Sequence, residues 1–304
     1  NKRLGVANFK FDEATKVGTV VIGSGVSSTK LRNAMVTVTS NSSCEGFAEG
    51  GDFCGSSTNY KLYFVAEFDR EATSRGTWEK NTLSEEVNEA SEKNSGAYFS
   101  FDTTTNSEVN YRIAISYVSI ENAKENLKAS SIDGGFSAYQ KNAEAAWDSS
   151  LSKITIETPN TDRKTQFYTH LYHSLIHPNI VSDVNGDYMG ADFKVYKTKL
   201  DDQYSSFSVW DTYRTQAQLL AWLFPKQSSD MVQSLVDFAD QCIDFCAPCV
   251  IQGNSGRDFC QDHVSFFAHQ RYKCLGHLFQ HPCPALLRQK RQEGNSQRLV
   301  CHKD

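Results

Sequence analysis

The first 120 residues alternate apolar and polar side chains with a period of two, which predicts β-strands. Gly, Asn and Ser separate the alternating segments, and the segments are rich in β-branched and aromatic residues. Strands at this spacing predict an antiparallel β-sandwich. The stretch from Glu79 to Asn94 is charged and predicts an exposed loop or edge excursion. The predicted strands are Val17–Gly23, Ala34–Ser40, Lys61–Asp69, Ala97–Asp102 and Val109–Ser119.

From Phe136 onwards the apolar residues recur at helical spacing. The pattern predicts a first helix carrying Trp147, a short strand over residues 154–158, and a helix over residues 162–176 capped by Thr161. After a Gly-punctuated loop, it predicts a helix from Asp211 to Phe224 and another beginning after Ser229. Helices of about four turns joined by long loops indicate an α/α array of stacked pairs.

Composition and charge change near Gln241. The chain has 304 residues and a net charge of −5, which does not suggest a nucleic acid or an anionic membrane as partner. No apolar run approaches the roughly 20 residues of a membrane helix. Residues 242–304 hold seven of the nine Cys and five of the eight His, with 8 basic and 5 acidic side chains. The chain begins at Asn1 in strand-like sequence, so we expect a fragment of a longer protein.

The segment Ser208–Arg214 is the main candidate for chemistry. Trp210, Asp211 and Arg214 lie within five residues at a predicted helix start, and Asp211 and Arg214 share a helical face. An indole stacks on the apolar face of a sugar ring, while a carboxylate and a guanidinium bind its hydroxyls. The alternative is a helix start with a favourable Asp, a surface ion pair and a core Trp.

Cys44 and Cys54 flank a Gly-rich stretch in the predicted β domain. A disulfide between them would close this loop and indicate an oxidising compartment; the alternative is two free buried thiols. Asn41 begins an Asn-Ser-Ser glycosylation sequon, which agrees with secretion. His170, His173 and His177 fall on one face of the predicted helix, and we interpret them as structural side chains rather than metal ligands.

Residues 136–241 resemble glycoside hydrolase family 92, the calcium-dependent exo-acting α-mannosidases. Two motifs carry the resemblance: FYTHLYHSLIHPNIVSDVNGDYMGAD at Phe167–Asp192 and FSVWDTYRTQAQLLAWLFP at Phe207–Pro225. The region GFAEGGDFCG and the following LYFVAEFD are similar, more loosely, to the N-terminal β domain of the family. The resemblance covers roughly residues 1–241.

The resemblance implies an α+β multidomain fold: an N-terminal antiparallel β-sandwich and the first helices of an incomplete (α/α)6 barrel. The expected limits are a β-sandwich over residues 1–120, a helical linker over 121–160 and the start of the barrel over 161–241. Family membership further implies that Trp210, Asp211 and Arg214 contribute to the pocket for the terminal mannose. The loop carrying Asp183, Asp187 and Asp192 is a weaker candidate, because turn chemistry alone explains Asp and Gly there.

The resemblance implies that the parent enzyme is a secreted exo-α-mannosidase, which acts on mannose-terminated N-glycans or mannan with inversion. Inversion needs a general acid and a general base, which the family supplies, with its calcium ligands, from later in the barrel. We therefore expect this chain to lack catalytic residues and metal ligands and to be inactive. A rival function is a non-catalytic carbohydrate-binding β-sandwich.

The tail from Cys242 loses periodicity and predicts poor order. Three explanations stay open: an out-of-frame translation, a disulfide knot, or a zinc module. The zinc module would use Cys246 and Cys249 with His263, His269 and Cys274, although a second fixed-spacing pair is absent. If the tail is a zinc module, a third candidate function is that of a zinc-stabilised interaction protein.

Overall fold

The computed structural model describes residues 2–23, 30–51 and 59–252, without the side chains of Trp210 and of residues 242–252. The described part begins with an antiparallel β-sandwich, which confirms the predicted fold class. Its strands are β1 (Leu4–Lys10), β2 (Val17–Gly23), β3 (Asn33–Ser40), β4 (Ser43–Gly51), β5 (Asn59–Phe68), β6 (Ser74–Glu79), β7 (Thr82–Glu85), β8 (Glu89–Ala90), β9 (Ser95–Asp102) and β10 (Glu108–Ser116).

The strands form a large sheet in the order β1-β10-β5-β4-β3-β8 and a small sheet in the order β2-β9-β6-β7. Alternate side chains of both sheets point into one core, as period-two strands require. Phe68 of the large sheet packs between Phe99 and Phe101 of the small sheet, with ring centroids 4.9 and 5.0 Å away. Tilted aromatic contacts of this kind stabilise the sandwich beyond simple burial.

Strand β4 lies inside the large sheet, although its sequence predicted a Gly-rich loop. Its inward positions carry Cys44, Gly46, Ala48 and Gly50, which are all small and buried. A Cβ on Gly46 would lie 2.1 Å from the Met35 carbonyl oxygen, so only Gly fits there. Small inward residues leave no hydrophobic alternation in the sequence, which is why the strand was missed.

The Cys44 thiol is free and buried in the sandwich core. Cys54, its partner in the predicted disulfide, lies outside the described residues.

Two helices follow, α1 (Ile120–Ser130) and α2 (Gly135–Leu151). The Ser119 hydroxyl caps α1 by accepting from the Asn122 backbone N–H at 3.0 Å. Ala123 and Leu127 of α1 pack on the outer face of the large sheet against Val65 and Ala114. The large sheet is therefore buried on both faces where α1 covers it.

The rest of the first compact unit holds α3 (Thr161–Leu175) and the short strands β11 (Asn179–Ile180), β12 (Asp187–Met189), β13 (Val195–Lys197) and β14 (Tyr204–Ser205). Asn160, not Thr161, caps α3, since its side chain accepts from Arg163 N–H at 2.9 Å. The strand expected at residues 154–158 does not form, and α3 ends before His177. His170 and His173 are exposed, and His177 does not share their helix.

The chain divides into two compact units, residues 1–206 and 207–304. The first unit extends past the expected linker because residues 182 and 202 are bonded to Arg3 at the start of the β-sandwich, and residue 183 is bonded to β10 and α1. The domain limits expected at 120, 160 and 241 remain predictions.

The described part of the second unit holds α4 (Val209–Thr212), α5 (Gln216–Leu223) and α6 (Pro225–Gln252). The single helix expected from Asp211 to Phe224 is thus two helices, broken between Thr212 and Gln216. Leu220 and Leu223 of α5 are buried, as are Phe238 and Ala239 of α6. Helix α6 begins at Pro225, before the predicted start, and its backbone continues eleven residues past the expected break at Gln241.

Candidate functional site

The segment from Ser208 to Arg214 begins a helix, as predicted, but the helix ends after one turn. Asp211 is the third residue of that single turn. The Ser208 hydroxyl donates a short hydrogen bond to Oδ2 of Asp211. Oδ1 of the exposed Asp211 therefore stays open to accept from a ligand hydroxyl.

Arg214 lies beyond the last residue of α4, so the expected Asp211–Arg214 pair on one helical face does not form. Its Nε donates instead to the Tyr213 hydroxyl at 2.7 Å, and its guanidinium carbon lies 5.4 Å from the Tyr213 ring centroid. This arrangement holds the guanidinium plane and leaves its two Nη groups as donors. Trp210 belongs to α4, and its side chain lies outside the description.

The loop between β11 and β12 is built around Asp183, whose side chain is buried. Its Oδ2 accepts from the Ser116 hydroxyl at 2.7 Å and from Nδ2 of Asn122 at 2.8 Å. Its Oδ1 accepts from Nδ2 of Asn126 at 2.6 Å. Asp183 therefore joins the end of β10 and one face of α1 to the loop.

Burial raises the pKa of the Asp183 carboxyl above its usual value, because the surrounding donors are neutral. The hydrogen bonds from Ser116, Asn122 and Asn126 and the more distant charge of Arg3 act in the opposite direction but do not outweigh burial. All three side-chain donors of Asp183 come from the chain itself. A carboxylate enclosed in this way positions a loop, and it has little capacity left for a ligand.

Lys2, Arg3 and Asp202 form a second polar group, which lies beside β14, the strand before the segment Ser208–Arg214. Arg3 of the β-sandwich donates through Nη2 to Asp202 at 3.1 Å and through Nε to the Ser182 carbonyl. The Ser182 hydroxyl accepts from the Gln203 backbone N–H at 2.9 Å, and Lys2 also pairs with Asp202. The start of β1 therefore holds both strands of the β11–β14 pair.

Asp192 closes the β12–β13 hairpin. Burial alone would raise the pKa of its carboxyl, but donors from Lys194 and Tyr196 outweigh burial and hold the pKa below its usual value. The Lys194 ammonium lies 2.9 Å from Oδ2, and the Tyr196 hydroxyl donates to the same oxygen at 3.0 Å. Protein donors thus occupy both Asp183 and Asp192: distant residues hold Asp183, and residues of its own hairpin hold Asp192.

The residues that sequence reasoning missed are Ser116, Asn122 and Asn126. Asn122 and Asn126 are four apart on α1 and both are buried. An i, i+4 pair of Asn on a short linker helix, followed by an Asp-rich loop, was the signal that could have identified this network.

The predicted glycosylation site, metal ligands and tail are placed as follows. Asn41 is exposed in the β3–β4 turn, where its side chain accepts from Nε of Arg75 at 3.1 Å. Among the described residues, no group of three His, Cys, Asp or Glu side chains is arranged to bind a metal ion. Of the proposed zinc ligands, Cys246 and Cys249 lie on α6, where side chains are not described, and His263, His269 and Cys274 lie outside the described residues. The tail predicted to be poorly ordered from residue 242 has a helical backbone up to Gln252, and the rest of it lies outside the described residues.

Two family models match the chain in the expected order. The glycosyl hydrolase family 92 N-terminal domain matches residues 1–116, and the catalytic domain of the same family matches residues 122–270. The second match runs past Gln241, so the resemblance does not end where the composition changes. Among curated proteins, none matches the chain significantly. Within the described residues, no helix is both long and apolar enough to cross a membrane.

Solved structures with the same fold include the family GH92 α-mannosidase BT3965 from Bacteroides thetaiotaomicron, with 27% identity and a TM-score of 0.71. The match covers 78% of this chain and 32% of that one. The family GH92 glycosyl hydrolase ccman5 is similar, with 26% identity, a TM-score of 0.71, and 79% and 32% coverage. The inverting mannosidase BT2199 from the same bacterium, at 22% identity and a TM-score of 0.69, supports the fold alone over 80% of this chain and 32% of that one.

The chain spans about a third of the length of the solved structures that it matches. Within that span it holds the N-terminal β domain and the beginning of the helical catalytic domain, in the family's order. The chain belongs to glycosyl hydrolase family 92.

Proposed function

We propose that this chain is part of a secreted exo-α-mannosidase that releases terminal mannose from N-glycans or mannan with inversion. One observation carries the proposal: both family 92 domains match in order, and structures titled α-mannosidases share the fold. A related structure holds mannoimidazole, which supports a mannose-containing substrate.

The sugar-binding role belongs to the segment around α4 in this proposal. Asp211 accepts from hydroxyls of the terminal mannose through the oxygen that Ser208 leaves open. Arg214 donates through its Nη groups while Tyr213 holds Nε. Trp210 provides the apolar plate against the sugar ring. Charged hydrogen bonds of this kind each contribute about 1.5–3 kcal/mol to recognition.

The chain alone is inactive in this proposal. An inverting reaction needs an acid and a base whose carboxyl groups lie roughly 6.5–9.5 Å apart around a water. The buried carboxylates of the first unit, Asp183, Asp192 and Asp202, are already held by protein donors. In this proposal the calcium ligands of the enzyme lie outside this chain.

Secretion is supported by the exposed sequon at Asn41. The Cys44–Cys54 disulfide no longer supports it, because Cys44 is free. Tryptic mapping of protein made in a eukaryotic secretory host should find a glycan on Asn41, and an unmodified peptide would remove this support.

The test of the sugar site measures binding and turnover separately. We expect methyl α-mannoside to give saturation-transfer signals with the purified chain, and these signals should weaken strongly in Asp211→Asn. Asp230→Asn, in α6, is the matched control and should bind as the parent chain does. No 4-nitrophenyl α-mannoside should be hydrolysed, with or without calcium.

Two results would contradict the proposal: equal binding by Asp211→Asn, or calcium-dependent turnover by the chain alone. In a longer enzyme that contains this segment, Asp211→Asn should lower kcat/KM by about tenfold to a thousandfold while stability barely changes.

A further inference from the structure

A mixed aromatic and charged group lies on the outer face of the large sheet, next to the first turn of α1. It consists of Phe47 and Glu49 on β4 and Lys61 and Tyr63 on β5, and we refer to it as the Phe47 cluster. In the antiparallel register, Phe47 is opposite Tyr63 and Glu49 is opposite Lys61. All four side chains therefore point to the same face of the sheet, away from the sandwich core.

The Phe47 cluster places one ammonium group against two aromatic rings. Nζ of Lys61 lies 3.6 Å from the ring centroid of Phe47 and 5.5 Å from that of Tyr63. The two ring centroids are 6.2 Å apart, with an interplanar angle of 60°. The two rings are therefore inclined to each other, and the Lys61 ammonium lies close to both. All three side chains are partly exposed.

Lys61 and Glu49 are cross-strand neighbours, yet they do not form an ion pair. Among the described residues, neither the Lys61 ammonium nor the Glu49 carboxylate has a hydrogen-bond or ion-pair partner. The nearby Lys124 is already committed, since its ammonium lies 2.8 Å from Glu45. Burial, Glu49 and then Glu121 raise the pKa of the Tyr63 phenol, so the hydroxyl stays a donor at neutral pH.

These groups match the requirements of a sugar ring. A hexose presents an apolar C–H face to an aromatic plate and hydroxyls to charged groups at its rim. The cluster offers partly exposed aromatic surface on Phe47 and Tyr63, three N–H donors from one ammonium, two acceptor oxygens from one carboxylate, and a phenol that can donate or accept. The exposed face of the small sheet is a poorer candidate, because Val17, Val21 and Leu83 offer no hydrogen bonds.

We propose that the Phe47 cluster is a second saccharide-binding site, which holds one hexose unit of an oligosaccharide without cleaving it. The site lies wholly within the β-sandwich and differs from the α4 segment, so it goes beyond the mannosidase function. Only the choice of a mannose oligosaccharide as the first probe rests on the proposed function.

The test titrates the full chain with α-1,2-mannobiose, maltose and cellobiose, and follows amide shifts of residues 45–49 and 61–65. We expect one of these sugars to shift both segments. Lys61→Met, which keeps the length of the side chain, should weaken this binding by about tenfold. Phe47→Leu should weaken it similarly. Lys10→Met, on β1, is the control for removal of a surface cation and should bind normally.

Asp211→Asn separates this proposal from the mannosidase proposal. Binding at the Phe47 cluster should be unchanged in that variant. A preference for maltose or cellobiose at the cluster would leave the second site intact but argue against mannose as its ligand. The proposal is overturned if none of the three sugars shifts these segments, if Lys61→Met and Phe47→Leu bind normally while folded by circular dichroism, or if Asp211→Asn removes the shifts.

Discussion

Nδ2 of Asn126 donates to Oδ1 of Asp183 over 2.6 Å, although the two residues are 57 positions apart in the sequence. The same amide also donates to the Ile115 carbonyl at 2.9 Å, and the Asn126 oxygen accepts from the Val184 N–H at 2.8 Å. One fully buried Asn therefore joins β10, α1 and the β11–β12 loop. Polar groups that are this completely satisfied specify one arrangement of the chain.

Asp183→Ala should lower the free energy of unfolding by about 3 kcal/mol, because the Ser116, Asn122 and Asn126 donors lose an acceptor while they stay buried. Urea unfolding followed by circular dichroism measures the change. The exposed Asp133→Ala is the control, and its stability should match the parent within about 0.5 kcal/mol. Equal losses in the two variants would mean that the network around Asp183 contributes nothing specific.

Asp192→Asn should destabilise the protein in a pH-dependent way. The folded-state pKa of Asp192 lies below its usual value, so its ionised form stabilises the fold. This stabilisation is present above the ordinary Asp pKa of about 3.9 and is lost as the pH falls through the folded pKa. The difference between the parent and Asp192→Asn should therefore be the same at pH 7 and about pH 5, and should shrink as the pH falls below the ordinary Asp pKa towards pH 3. A difference that is constant across this range would contradict the assignment.

The carboxyl groups of Asp183, in the β11–β12 loop, and Asp192, in the β12–β13 hairpin, should titrate on opposite sides of the ordinary Asp range. Asp183 should titrate above the ordinary Asp range because burial dominates, and Asp192 below it because its donors dominate. The contribution of Asp183 to folding is therefore greatest below the ordinary Asp pKa and is lost as the pH rises through its folded pKa. NMR of 13C-labelled protein measures both groups in one sample, and the same order of titration in urea would contradict a folded-state origin.

The Cys44 thiol should resist alkylation in the folded protein. Burial, followed by the charge of Glu45, raises the pKa of this thiol to about 12, and the reactive thiolate is therefore scarce at pH 8. Mass mapping after iodoacetamide treatment should find the Cys44 peptide unmodified in buffer and modified in urea. A disulfide-linked Cys44–Cys54 peptide, or rapid native labelling, would show that the core position of Cys44 is wrong.

Gly96→Ala should destabilise the small sheet by about 1–3 kcal/mol through overpacking. A Cβ at this position would lie 2.0 Å from the Ile22 carbonyl oxygen and 2.5 Å from Nε1 of Trp78. That oxygen accepts a 3.2 Å hydrogen bond from Trp78, so neither group can move freely. Gly5→Ala is the matched control in a strand, because its nearest atom, on Ile113, lies 3.3 Å away. Thermal unfolding measures the change, and Gly96→Ala should lower the Tm clearly more than Gly5→Ala does.

Strong periodicity determined the elements that the sequence predicted correctly. Val17–Gly23 was predicted to the residue, and the strands around Phe64 and Phe99 were placed within two residues because large side chains alternate there. The strand carrying Cys44 and Gly46 was missed because small side chains fit a closely packed sheet without leaving a hydrophobic pattern. The helix expected across Asp211 and Leu219 broke because local periodicity does not report where a chain turns.

The sequence by itself determined the fold class, the family and the segment from Trp210 to Arg214 as the sugar-binding candidate, since these depend on local spacing and linked motifs. Only the tertiary structure decided that Asp183 is enclosed by Asn122 and Asn126, and that Cys44 is a core thiol. It also decided that Lys61 lies against Phe47 rather than pairing with Glu49. Burial and partner choice depend on contacts between residues distant in sequence, and these contacts exist only once the sheets and helices have packed.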